Sequence, residues 1–144
     1  MNQFMTRATI LAGVAGLLAC GGDSTSPQSA ISGSYSAYTW TTTGASGQTN
    51  QLVNGSTLQI NLAANGTTTG HMHIAASGGN PAFDADMAGT WTQTGNSVGF
   101  TLADDSFMND MVFEIQPFAA NVWDLVGQDT FDQTLIRLTL RHGP

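Results

Sequence analysis

From residue 57 onward, apolar and polar residues alternate with a period of two. Leu58, Ile60 and Leu62 share one face, and Gln59 and Asn61 share the other. Strand side chains point to opposite faces in turn, so this run predicts a half-buried strand. Ala64-Asn65-Gly66 follows. Asn-Gly between two alternating runs predicts a tight hairpin. The return run places Met72 and Ile74 inward, with Thr69, His71 and His73 outward. Phe83, Ala85, Met87, Gly89 and Trp91 share the next inward face, while Asp84, Asp86, Thr90 and Thr92 point away. Gly95-Asn96 predicts a turn, and Val98, Phe100 and Leu102 continue the apolar set. Asp104-Asp105-Ser106 predicts another turn. Met111, Phe113 and Ile115 form the next inward set, which Pro117 is expected to stop because it offers no N–H to a ladder. Trp123 and Leu125 follow after a loop. Ile136, Leu138 and Leu140 then alternate with Arg137, Thr139 and Arg141.

The first strand is less regular. Tyr35 and Ala37 fall on one face, Tyr38 and Trp40 on the other. A bulge or bend would bring both sets to one core. The stretch 41–55 is polar and contains glycine, so it is expected to be a connection or a cover over one end. Apart from residues 8–19, no window carries a helical apolar stripe. About eight strands with one apolar face each predict an all-β domain: an eight-stranded antiparallel up-and-down barrel, whose closure removes exposed edges. Such a barrel holds side chains or one small ligand. Alternation alone serves a β-sandwich equally well.

The N-terminal segment is different. Residues 1–7 are polar with one positive charge, and residues 8–19 (ATILAGVAGLLA) are apolar apart from Thr9. Twelve helical residues rise about 18 Å, short of the roughly 30 Å hydrocarbon core. The pattern is that of an export signal. Leu17, Ala19 and the single cysteine, Cys20, close it. These residues resemble the lipobox of bacterial lipoproteins, which has Leu three positions before a cysteine and a small residue just before it. The resemblance implies a signal peptide over 1–19 and cleavage before Cys20. It also implies a diacylglyceryl thioether on the sulfur and acylation, for instance with palmitate, of the new amino group. Two or more chains hold a protein to a membrane firmly, whereas one is marginal. Gly21 in place of the aspartate that retains enteric lipoproteins at the inner membrane points to the outer membrane. Residues 20–30, from the lipidated cysteine through GGDSTSPQSA, read as a flexible tether, and 31–144 as the folded domain.

A second resemblance lies in that domain. Gly33-Ser34-Tyr35 is similar to the Gly-x-Trp opening of lipocalin-like barrels, with Tyr for Trp. Gly89-Thr90-Trp91, Gly95-Asn96 and the run to Leu102 resemble the middle hairpin of small bacterial lipocalin-like domains. Arg141 is placed like the arginine that packs across the first-strand aromatic in lipocalins.

Loss of the signal leaves 125 residues with two arginines, no lysine and ten acids, a net charge of −8. That surface repels nucleic acid. Without further cysteine the domain has no disulfide. Gly95-Asn96-Ser97-Val98-Gly99 matches the G-x-S-x-G nucleophile pattern, but that motif needs a strand, a sharp turn and a helix, and here it lies between two alternating runs. His71 and His73 share an outward face, so a polar surface accounts for them better than a metal site. Asp104, Asp105 and Asp110 lack the spacing of a calcium loop. The expectation is therefore a non-catalytic monomer without cofactor or metal, held to the cell membrane or outer membrane by its lipid. It binds a small apolar ligand along Phe83, Met87, Trp91, Phe100 and Phe113. The alternative is a structural or protein-interaction module of the cell envelope with a filled core.

Overall fold

The computed structural model describes residues 30–143, so Cys20 and the segment before it lie outside the described residues. The described chain is a closed, eight-stranded antiparallel up-and-down barrel. It runs through β1 (Gly33–Gly44), β2 (Gly47–Asn50), β3 (Thr57–Leu62), β4 (Thr67–Ile74), β5 (Phe83–Asp86) and β6 (Gly89–Thr94). It continues through β7 (Ser97–Leu102), a 3-10 turn (Phe107–Asn109), β8 (Phe113–Ala119), β9 (Val122–Phe131) and β10 (Thr134–His142). Ten strands make eight staves because two staves are interrupted. β3 and β2 lie end to end beside β1, and β6 and β5 lie end to end beside β4. β10 closes the ring onto β1 from Tyr35 to Thr43.

Closure depends on two irregularities. Between Ala37 and Thr39 the β1–β10 register slips, and Tyr38 is the extra residue. An odd spacing would put Tyr35 and Trp40 on opposite faces; the bulge lets both point inward, and each is almost fully buried. Tyr38 is pushed outside. The second slip lies in β8, which does not stop at Pro117 as its missing N–H suggested. It runs on to Ala119, and the slip after Pro117 leaves Phe118 as the extra, exposed residue. The stretch 41–55 is likewise not a simple connection: it extends β1, turns at Ala45–Ser46 and returns as β2.

The two extruded aromatics meet over one cation. The Arg141 guanidinium lies 3.6 Å from the centre of the Tyr38 ring and 3.6 Å from that of Phe118. It also donates to both carboxylate oxygens of its cross-strand neighbour Asp124, at 2.9 and 2.8 Å. Arg141 thus crosses a first-strand aromatic, Tyr38 on the outer wall, while Tyr35 turns into the core. The Tyr35 hydroxyl donates to the Ile31 carbonyl at 2.7 Å. Burial, and then the Asp124 charge, push its pKa above the ordinary phenol value.

The interior is packed with the alternating residues of all staves, from Ile31 and Tyr35 at one end to Trp40 and Phe107 at the other. The expected inward sets 58/60/62, 98/100/102, 111/113/115 and 136/138/140 are all buried. The described sheet closes on itself and encloses its own core. Tight turns at residues 63–66, 95–96 and 120–121 gather at the end where the chain comes in. Longer connections, 51–56, 75–82 and 103–112, lie toward the opposite end, together with the hairpin turns 45–46 and 132–133.

Gly70 shows how closely the staves approach. Its φ is +144°, and a Cβ there would run into the Gln59 carbonyl of β3. Gly95 also has positive φ (60°), but a Cβ there meets open space. Gly70→Ala is expected to cost about 2–3 kcal/mol, and Gly95→Ala about 1 kcal/mol. Urea unfolding of the domain measures both, and equal costs would show that the β3–β4 approach is looser than described.

Candidate functional site

The end with the longer connections is not filled to its rim. A cavity of about 450 Å³ opens there. Its walls follow from the local structure. The β1 bulge puts Trp40 and then Thr42 on the inside. Gln51 closes over them: its N–H donates to the Trp40 carbonyl at 2.9 Å, and its Nε2 donates to Thr42 Oγ1 at 2.7 Å. Ile74 and Phe83 are cross-strand partners at the open ends of β4 and β5, and both face the cavity. The 3-10 turn drops Phe107, Met108 and the following Met111 into the barrel. Asn109 fixes this plug, accepting from the Leu102 N–H at 2.7 Å and donating to the Asp104 carbonyl at 3.3 Å. Phe107 then tilts against Trp40, with ring centres 5.8 Å apart. The β9–β10 hairpin supplies Phe131, Thr134 and Ile136.

The lining is therefore mainly aromatic and aliphatic, with polar groups at intervals. Asp105 and Asp132 stand on the rim, both exposed. Two buried polar atoms of lining residues, Trp40 Nε1 and Ser106 Oγ, have no hydrogen-bond partner. A group left so costs about 1–3 kcal/mol, and a ligand oxygen near them would relieve it.

Of the residues expected along the ligand, Phe83 lines this cavity and is 42% exposed. Met87, Trp91, Phe100 and Phe113 do not line it; they are buried in the packed core. Phe100 and Phe113 meet edge to face at 5.4 Å. Trp91 Nε1 donates to the Ala63 carbonyl at 2.9 Å, at the end with the tight turns. The alternation marked these side chains as inward but not how far along the barrel each one sits. Phe107 and Phe131 escaped the sequence reading because neither belongs to a clean alternating run. A paired Phe-Met after an acidic turn was the one available signal for the plug.

Ser97 of the G-x-S-x-G match opens β7 at a hairpin, and strand rather than helix follows it. On the outer wall, His71 and His73 do point away from the core, toward Asp84 and Asp86 of β5. Asp84 Oδ1 lies 2.8 Å from His73 Nδ1 and 3.1 Å from His71 Nε2. Among the described residues, no group of three or more His, Cys, Asp or Glu is arranged to hold a metal ion. Comparison with protein families, curated proteins and solved structures gives no match for the chain.

The His73 hydrogen bond holds the Asp84 carboxyl below the ordinary aspartate value; partial desolvation opposes it, and the weaker His71 hydrogen bond and the two imidazole charges add to the lowering. A depressed carboxyl stabilises the fold above its unfolded pKa and loses that contribution as pH falls through the folded value. The Asp84 carboxyl carbon, followed by NMR, is expected to titrate below the ordinary aspartate value. His73→Ala is expected to move it up further than His71→Ala. An unshifted Asp84 would mean that the imidazoles do not hold it in solution.

Proposed function

We propose that this chain is an exported lipoprotein, acylated on Cys20, whose lipocalin-like barrel binds a small, mainly apolar molecule without catalysis. The observation that carries the binding half is the cavity beside Trp40, Phe83, Phe107 and Phe131. Its volume falls within the usual 300–1,000 Å³ range of ligand pockets, and its mix of aromatic walls and few polar groups is the usual one. The anchoring half rests on the Leu17-Ala19-Cys20 pattern. The two halves fit each other. Ile31, where the chain comes into the barrel, lies at the end with the tight turns, and the cavity opens at the other. A tether from Cys20 would hold the domain by its closed end, at the cell membrane or outer membrane, and leave the mouth free.

An alternative keeps the fold and places the function on the outer surface of that mouth. Val53 and Val112, 82% and 60% exposed, lie on connections at the same end. A protein partner in the envelope would cover them.

An uncharged solvatochromic dye is expected to brighten on the domain lacking residues 1–20, with one site per chain. Phe83→Ala is expected to weaken it roughly three- to tenfold by removing part of the apolar wall. If neither dyes nor lipid extracts bind, the cavity serves no ligand. A cross-linked protein partner lost on changing Val53 and Val112 to serine would then favour the alternative. Mass spectrometry of the mature protein is expected to find acyl chains on Cys20; an unmodified cysteine would end the anchoring half.

A further inference from the structure

We propose that the cavity selects its ligand by charge and takes a cationic amphiphile: an apolar body carrying an ammonium group held at the rim. This rests on the binding reading above and goes beyond it by naming the ligand class. Two independent features of the mouth point the same way. The first is its fixed charge. The two carboxylates on the rim, Asp105 and Asp132, have no cationic side chain among the other lining residues. The only arginines of the described chain lie elsewhere. Arg137 donates to Gln128 on the outer wall at 2.8 Å, and Arg141 is held by Asp124. His73, next to the lining residue Ile74, turns outward to Asp84. A carboxylate or phosphate headgroup would thus meet two like charges with nothing to balance them. An ammonium meets opposite charge beside a low-dielectric wall, where Coulomb attraction is stronger than in water.

The second feature is the wall itself. Trp40, Phe83, Phe107 and Phe131 come from four different parts of the chain. Aromatic faces attract cations through their ring quadrupoles, and aromatic cages are a common way to hold quaternary ammonium groups. Neither rim acid is needed by the fold. Asp104, not Asp105, accepts the Asp86 N–H. Asp132 sits at φ 44° in the β9–β10 turn, a conformation that asparagine tolerates as well.

The test is a set of probes with one tail and three heads: decyltrimethylammonium, decanol and decanoate, each below its micellar concentration. Binding to the domain is read by dye displacement at low and high salt. At low salt the ammonium is expected to bind at least about tenfold more tightly than decanoate, with decanol between, and salt should narrow the gap. In the double variant Asp105→Asn/Asp132→Asn the ammonium-to-decanoate ratio is expected to fall to within about twofold. Glu114→Gln, on the outer wall, is expected to leave the ratio as it was. Decanoate binding as well as the ammonium overturns the charge selection alone and leaves apolar binding standing. A ratio that survives the double variant, or falls as much with Glu114→Gln, does the same. No binding of any probe, or of the dye itself, overturns apolar binding and this inference together.

Discussion

The barrel closes around Arg141. Its guanidinium is gripped by rings from β1 and β8 and by a carboxylate from β9, while its own backbone belongs to β10. Four consecutive staves across the seam therefore share one cation. The hydrogen bonds to Asp124 raise the Arg141 pKa further above its already high value, so the charge is permanent. A planar fork suits this place: it donates two bonds in its plane and offers both faces to aromatic rings, which a lysine ammonium does not. The two β-bulges exist on the same terms. Each extrudes one aromatic, and in each case the extruded ring lands on Arg141. The bulge in β1 has a second effect, since it is what turns Trp40 into the barrel.

From that follows the division of the interior. At the end where the chain comes in, Ile31, Tyr35 and Trp91 are packed, with the Tyr35 hydroxyl and the Trp91 indole both satisfied by backbone carbonyls. Toward the other end, the plug carrying Phe107 and Met108 takes up space that eight strands would otherwise leave open. Only the mouth remains, with the unpaired Trp40 Nε1 and Ser106 Oγ among its lining residues; Thr68 Oγ1 and Gln93 Oε1, away from it, are unpaired as well. The packed end secures stability, and the unfilled space at the other end is set by how deep the plug reaches.

Much of this was legible in the sequence because a strand's two faces are written in alternate residues. The inward sets from Leu58 to Leu140, the Asn65-Gly66 and Gly95-Asn96 turns, and the bulge in the first strand all follow from that period. What was not legible has a physical reason in each case. Pro117 was expected to end its strand; the register slip beside it lets the pairing resume. The β9–β10 turn carries no glycine, and Asp132 and Gln133 take positive φ themselves, so the usual hairpin signal was missing. The depth of a side chain along the barrel axis is set by stagger between strands, which periodicity does not encode. That is why Phe83 was placed at the cavity while Met87, Trp91, Phe100 and Phe113 were grouped with it and lie in the core. The plug escaped because a 3-10 turn of three residues has too little sequence to show a period.

The central claim is that the barrel is filled at one end and receives an apolar molecule at the other. Isoleucine methyl groups report on both regions: Ile74 and Ile136 line the cavity, while Ile31 and Ile115 belong to the core away from it. Methyl NMR of the domain titrated with an uncharged apolar probe is therefore the most direct measurement. The account predicts that the Ile74 and Ile136 signals shift together and saturate while those of Ile31 and Ile115 stay still. Saturable shifts at Ile31 and Ile115, or none at Ile74 and Ile136 with the probe bound, would contradict it.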